Sequence, residues 1–146
     1  MSQLLSDSAE TLLAVASPPP DPVLQEMTAY GEERGFPTVG PDVGQFLTVA
    51  ARMVDAERIF EFGSGFGYSA AWFAEALPPT GEIILTDYDE ADLATAEGFL
   101  ADIGFQGMAQ FAVGDAVETF ESVEGTFDVI LIDLEKEQYV DAFTRA

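Results

Sequence analysis

Apolar and polar positions change their period about a third of the way along this chain. Up to Val54 they recur at helical spacing. Ser6 to Ala16 predicts a short helix stopped by Pro18-Pro19-Pro20; a second opens with Asp21 as N-cap and Pro22 at its first position and closes on Gly35. Phe36-Pro-Thr-Val-Gly-Pro41 is a stiff connecting loop, and a third helix, about Asp42 to Val54, carries Val43, Phe46, Leu47, Ala50 and Val54 on one face. Beyond Arg58, short apolar runs alternate with helical stretches. Strands are predicted at Ile59–Phe62, Glu82–Thr86, Met108–Val113 and Phe127–Ile132, the second entered through the turn Pro78-Pro-Thr-Gly81. Between them, an amphipathic helix is expected at about Tyr68–Leu77, and another runs from its cap Asp89 to about Ile103 and ends at Gly104.

Runs such as Val129-Ile-Leu-Ile132 suit strands buried on both faces of a parallel sheet. The alternation predicts an α/β fold with a doubly wound, Rossmann-like parallel sheet and a helical N-terminal extension, all in one domain, with residues 1–56 helical and 57–146 forming the core. Lys136 to Ala146 begins a helix with no fifth strand after it, which would leave the fourth strand as an unpaired edge. The expectation is a fragment lacking C-terminal strands; an edge covered by a partner is the alternative.

Composition narrows the chemistry. The 146 residues are 48% hydrophobic, enough for a real core. There is no cysteine and no histidine, which removes disulfides, thiolate metal sites, cysteine nucleophiles, and the usual general base and zinc ligand. Acidic residues number 27 against 5 basic ones, for a formal net charge of −22. Such a surface repels nucleic acid and anionic membranes, so neither is expected as a partner. No apolar run approaches the ~20 residues of a membrane span, and no secretory signal is visible, so a cytoplasmic location is expected. The acids are scattered through periodic segments, which speaks against disorder. A folded, evenly acidic, lysine-poor chain resembles the cytoplasmic proteins of salt-loving archaea, where salt screens self-repulsion.

The chemistry centres on Arg58-Ile-Phe-Glu-Phe-Gly-Ser-Gly-Phe-Gly-Tyr-Ser69. Strand, glycine turn and helix N-terminus make a nucleotide-type site, because glycines let a ligand approach bare backbone and the helix offers free N–H groups. A dinucleotide site wants Gly-x-Gly-x-x-Gly, but here the third glycine comes one residue early, at Gly67. The tighter spacing, preceded by Glu61, suits S-adenosylmethionine (SAM), which has no pyrophosphate to cradle. Gly63-Ser64-Gly65 would pass close to its amino acid end, Glu61 would orient loop and cofactor, and Ser69 offers a hydroxyl. A plain strand–helix turn is the simpler account.

Asp87, closing the second strand, can accept both hydroxyls of a ribose. Asp115 and Ala116 close the third, where adenine could be met, although an Asp there is more often a helix cap. Asp133 ends the fourth strand and could hold a hard divalent ion, given oxygen ligands from elsewhere. Lys136 is the chain's only lysine, three residues on. Partial burial and a nearby cation would let it serve as a base; a surface ion pair with Glu135 or Glu137 is the alternative.

From Pro37 to Tyr139 the chain resembles the cation-dependent O-methyltransferases, the family of catechol and caffeoyl-CoA methyltransferases. The matching pieces are Val39-Gly-Pro-Asp-Val-Gly-Gln-Phe-Leu47, Phe60 to Ser69, Ala76-Leu-Pro-Pro-Thr-Gly81, Thr86-Asp87, Gly114-Asp-Ala116, and Phe127 to Asp133 with Lys136 and Tyr139. The resemblance implies cofactor contacts at Val39, Glu61, Gly63, Ser69, Asp87, Asp115 and Ala116, a divalent metal ion such as Mg²⁺ on Asp133, and a base role for Lys136. The family usually reads Asp-Ala-Asp-Lys where this chain has Asp133-Leu-Glu-Lys136. Its remaining metal ligands, an Asp-Asn pair after a fifth strand, would lie beyond Ala146. The implied substrate is a small molecule with vicinal hydroxyls, and the N-terminal helices are a plausible homodimer interface. Two alternatives stand beside this reading: a cofactor-binding fragment or interaction module without catalysis, and a nicotinamide-dependent reductase, which the glycine spacing and the lack of a Tyr-x-x-x-Lys weaken.

Overall fold

The structure, a computed structural model, describes residues 20–105 and 107–146; the helix expected at Ser6–Ala16 lies outside them. Its elements are α1 (Pro22–Arg34), α2 (Gly40–Met53), β1 (Arg58–Phe62), α3 (Tyr68–Ala74), β2 (Glu82–Asp87), α4 (Glu90–Asp102), β3 (Ala109–Val113), α5 (Ala116–Ser122), β4 (Val129–Ile132), a 3₁₀ turn (Lys136–Gln138) and α6 (Tyr139–Arg145). Local chemistry sets several of these boundaries. The Asp21 carboxylate accepts from Val23 N, and α1 stops at Gly35 in the left-handed region. Asp89 accepts from Ala91 N and Asp92 N to start α4.

The four strands are all parallel in the order β3-β2-β1-β4. Parallel strands need crossover connections, and these place helices on both faces, as the doubly wound reading expects. Alternation along β1 divides the core. Ile59 faces one cluster, with Leu24, Met27, Leu47, Trp72, Leu93 and Leu100 of α1 to α4. Phe60 and Phe62 face the other, beneath α5 and α6, with Ala116, Ala142 and Phe120. β1 and β2 are buried almost throughout, but β3 and β4 are only half covered. The expectation of strands buried on both faces therefore holds for the central pair alone, because β3 and β4 are the sheet's edges.

Two helices differ from their expected patterns. α2 buries Gly44, Leu47, Thr48 and Ala51, while Val43, Phe46 and Val54 are 45%, 67% and 56% exposed. Small residues win the interior face because α2 lies tight on α3: a Cβ on Gly44 would fall 2.3 Å from Trp72 Nε1, and Thr48 Oγ1 donates to Trp72 O at 2.8 Å. α3 ends at Ala74 rather than near Leu77, and its first six residues are all buried, so it is not amphipathic. It sits between α2 and the sheet, with no face left for water.

Candidate functional site

A cleft of about 390 Å³ opens at the carboxyl ends of the strands, where ligands bind in sheets of this kind. The glycine loop forms its floor. Ser64 N donates to Thr86 O at 2.8 Å, Gly67 N to Ser64 O at 2.9 Å, and Gly63 N to Thr86 Oγ1 at 3.3 Å. Thr86 answers with Oγ1 donating to Glu61 O at 2.6 Å and N donating to Ser64 Oγ at 3.2 Å. The chain can lie this flat only because Gly63 and Gly65 hold φ of 80° and 51°. A Cβ on Gly63 would fall 2.4 Å from Asp133 O, and one on Gly65 2.5 Å from the Phe36 ring. The loop is packed from both sides and keeps its backbone bare toward the cleft.

Eight of the ten residues expected to meet the cofactor or its divalent ion line this cleft: Val39, Gly63, Ser64, Gly65, Ser69, Asp87, Ala116 and Asp133. Glu61 and Asp115 do not. Glu61 is wholly buried, and among the described residues neither of its oxygens has a hydrogen-bond partner of good geometry. Burial pushes its carboxyl up to about 7; the Ser69 and Ser64 hydroxyls lie near enough to oppose that rise, and the Asp133 charge adds to it. An orphaned buried carboxyl under a bare glycine loop is chemistry that awaits a cation, because an unpaired buried polar group is costly.

Asp87 splits its oxygens, Oδ2 accepting from Gly65 N at 2.8 Å and Oδ1 from Asp89 N at 3.0 Å. Each carboxylate oxygen has a second lone pair left for a diol. Asp115 is a helix cap, as one of its two readings held: Oδ1 accepts from Val117 N at 2.8 Å and Glu118 N at 3.0 Å. Its Oδ2 accepts from the Tyr88 hydroxyl at 2.6 Å. That bond, with the two backbone donors, holds the Asp115 carboxyl below the usual range.

Asp133 follows β4, its N donating to Phe62 O at 2.9 Å. Although Asp133 is exposed as a residue, desolvation of its carboxyl by the neighbouring strand ends raises it above the usual carboxylate range. Lys136 is exposed on the 3₁₀ turn. Glu135 and Gln138 on either side of it line the cleft, whereas Lys136 does not. No ion pair joins it to Glu135 or Glu137 among the described residues. The walls hold residues the sequence reading passed over: Phe36, Phe66, Tyr88 and Gln138. Phe36 was visible only as part of a stiff connector. Tyr88, directly after Asp87, carried the stronger signal.

A family model of O-methyltransferases matches residues 20–146. The chain is 34% identical to a catechol O-methyltransferase of Niastella koreensis over 84% of its length, covering 58% of that protein. It is 28% identical to caffeoyl-CoA O-methyltransferase 1 of Eucalyptus globulus over 93% of its length, covering 57% of that protein. The chain thus spans little more than half the length of these curated relatives. Among solved structures it is similar to the O-methyltransferase TomG of Streptomyces achromogenes, determined in complex with SAM, at TM-score 0.87 and 28% identity, covering all of this chain and 68% of that one. A methyltransferase of Geobacter sulfurreducens shares the fold at TM-score 0.90 and 24% identity, covering 99% of this chain and 73% of that one. The glycine loop, the strand-end carboxylates and the match along residues 20–146 lead to one conclusion: this chain belongs to the O-methyltransferase family.

Proposed function

We propose that the cleft binds SAM and that the chain serves methyl transfer to a hydroxyl of a small, catechol-like molecule. The observation that carries this reading is the orphaned Glu61 carboxyl beside a glycine loop that lines the cleft. The fit is chemical. SAM brings an α-ammonium toward the buried carboxyl, a carboxylate toward the Ser69 hydroxyl, and a ribose diol toward Asp87. Bound there, it supplies an electrophilic methyl group on a sulfonium. The chain's own part is to hold that methyl and the acceptor hydroxyl at contact distance, which removes most of the entropic barrier. Phe36 and Phe66, in edge contact with ring centroids 5.1 Å apart, wall off water on one side. For Lys136 to take the acceptor proton, its side chain, exposed beside the cleft-lining Glu135, has to turn into the cleft and be desolvated by bound substrate.

A divalent cation at Asp133 is the finer part of the reading. A hard ion takes about six oxygen ligands, and the described residues include no group of three carboxylates able to hold one. Asp133 is a single ligand, and the residues described do not complete a metal centre. A homodimer through the outward side chains of α2, where Phe46 and Met53 are 67% and 80% exposed, belongs to the same proposal.

Calorimetric titration with SAM, S-adenosylhomocysteine (SAH) and NADH tests the cofactor. Heat with SAM and SAH and none with NADH supports the reading; heat with NADH alone overturns it. Methyl transfer to a catechol by this 146-residue chain would separate an enzyme from a SAM-binding module without catalysis.

A further inference from the structure

We propose that the cleft is cation-selective: Asp87, Asp133 and Glu135 favour the sulfonium of SAM over the neutral sulfur of SAH, so that methyl transfer itself removes a charge that holds the cofactor. This rests on the SAM reading of the cleft. Those three carboxylates line it, and no basic side chain does. The chain has only five basic residues. Arg34 faces Asp92, Arg58 is paired with Glu82 and Arg145 with Glu121. Arg52 donates to Glu75 O, and Lys136 stands outside the lining. A cleft edged by one sign of charge concentrates ions of the other.

Placement matters as much as number. With the ammonium toward Glu61 and the ribose toward Asp87, the sulfur between them lies along Gly63 to Gly65. Asp87 stands at one end of that stretch, accepting from Gly65 N at 2.8 Å. Asp133 stands at the other, its backbone oxygen so close to Gly63 that a Cβ there would have no room. The Asp133 charge reaches further in, since it helps to push up the buried Glu61 carboxyl. Among the described residues no ion pair offsets Asp133 or Glu135.

SAM and SAH differ by one methyl group and one charge. They share the ammonium, the carboxylate, the ribose and the base, so contacts to those groups cancel in the ratio of the two affinities. Transfer breaks the bond from sulfur to methyl and forms one from methyl to the acceptor oxygen. The acceptor proton leaves, and the sulfur keeps the electron pair and becomes the neutral thioether of SAH. Each carboxylate that faces the sulfonium across a partly wet cleft is worth roughly two- to fivefold in affinity. Product therefore sits in a cleft that no longer attracts its sulfur.

The test is calorimetric titration of the whole chain with SAM, SAH and sinefungin, whose ammonium stands where SAM has its sulfonium methyl. EDTA is present so that no divalent ion offsets Asp133. SAM and sinefungin should bind at least about fivefold more tightly than SAH in about 0.1 M KCl, and the preference should shrink toward parity in about 1 M KCl. Glu135→Gln and Asp133→Asn, both at exposed positions, should each weaken SAM roughly two- to fivefold and leave SAH unchanged. Glu137→Gln removes the same charge from the same turn but outside the cleft lining, and should leave the ratio as it is. Because SAH binding is read on every variant, a misfolded variant shows itself by losing both ligands. SAH binding as tightly as SAM at low salt overturns the proposal while leaving the cofactor reading intact. So does a preference that sinefungin does not share, which would be methyl packing, or one that survives Glu135→Gln and Asp133→Asn together. Binding of none of the three ligands by the wild-type chain would sink the cofactor reading, and this proposal with it.

Discussion

Asp87 reaches back 22 residues to Gly65, its Oδ2 accepting the glycine N–H at 2.8 Å while Oδ1 accepts from Asp89 N. One carboxylate thus fixes the glycine loop against β2 and fixes the start of the turn into α4. Removing it leaves both amides without their partner. Asp87→Ala should cost about 2 kcal/mol of stability, the worth of hydrogen bonds to a charged group, and weaken SAH binding at least tenfold. Chemical denaturation and calorimetry on the same variant check both; loss of affinity with no loss of stability would confine Asp87 to ligand contact.

Glu61 makes stability depend on pH with a defined sign. Its carboxyl is raised from 4.5 to about 7 in the folded chain, so the native state keeps a proton that the unfolded state releases. Its contribution is complete below pH 4.5 and is lost as pH rises through about 7. The full difference is up to about 3 kcal/mol. Glu61→Gln, neutral at every pH, should match wild type near pH 4 and exceed it by up to that amount at pH 8. Urea melts at the two pH values give the comparison, and a gap independent of pH would show that Glu61 does not titrate in this window.

Glycine substitutions should separate into two classes. Gly63→Ala places a Cβ 2.4 Å from a backbone oxygen at φ of 80°, where nothing flexible can give way, and a loss of about 3 kcal/mol or more is expected. Gly98, inside α4 with nothing within 4 Å of its Cβ position, should gain about 0.5–1 kcal/mol as alanine. Thermal melts of the pair read the difference directly.

Lys136 can be tested apart from the cofactor because it lies outside the cleft lining. Lys136→Ala should abolish methyl transfer while leaving SAH affinity within about twofold of wild type, as expected for a group that acts only on the acceptor. Equal loss of both would make Lys136 structural.

The charge of −22 should appear as a salt dependence. The Debye length shrinks from ~30 Å at 0.01 M to ~3 Å at 1 M, so repulsion across the molecule is erased by molar KCl. The melting temperature should rise by several degrees over that range, and a flat profile would show that the acids are already balanced locally.

Much of this fold is legible in the sequence because its boundaries are local chemistry. Asp21, Gly35 and Asp89 cap their helices within three residues of themselves, and the strands are read from short apolar runs. What the sequence hides is what depends on a neighbour far along the chain. The inward face of α2 was masked because Gly44 and Thr48, chosen for close approach to Trp72, score lower as core than Phe46. The cleft followed the same rule. Residues on the glycine loop and at strand ends were legible from spacing, whereas the Tyr88–Asp115 bond requires β3 and β2 to be adjacent. Glu61 falls between the two: its alternation with Ile59 predicts the side it faces, but only the packed helices above reveal that nothing there pairs with it.

The bonds between the glycine loop and Thr86 also have a thermodynamic consequence. A loop that orders as it binds consumes part of the interaction energy in doing so. Here Gly63, Ser64 and Gly65 each donate their amide to β2, one to the backbone and two to side chains, so the floor is tied down as an extension of the sheet. Its amides should exchange with deuterium on the timescale of β1 and β2 rather than of the surface turns, with or without ligand. Selectivity must then come from the walls, where side chains can still move, while the floor supplies affinity that is preorganised.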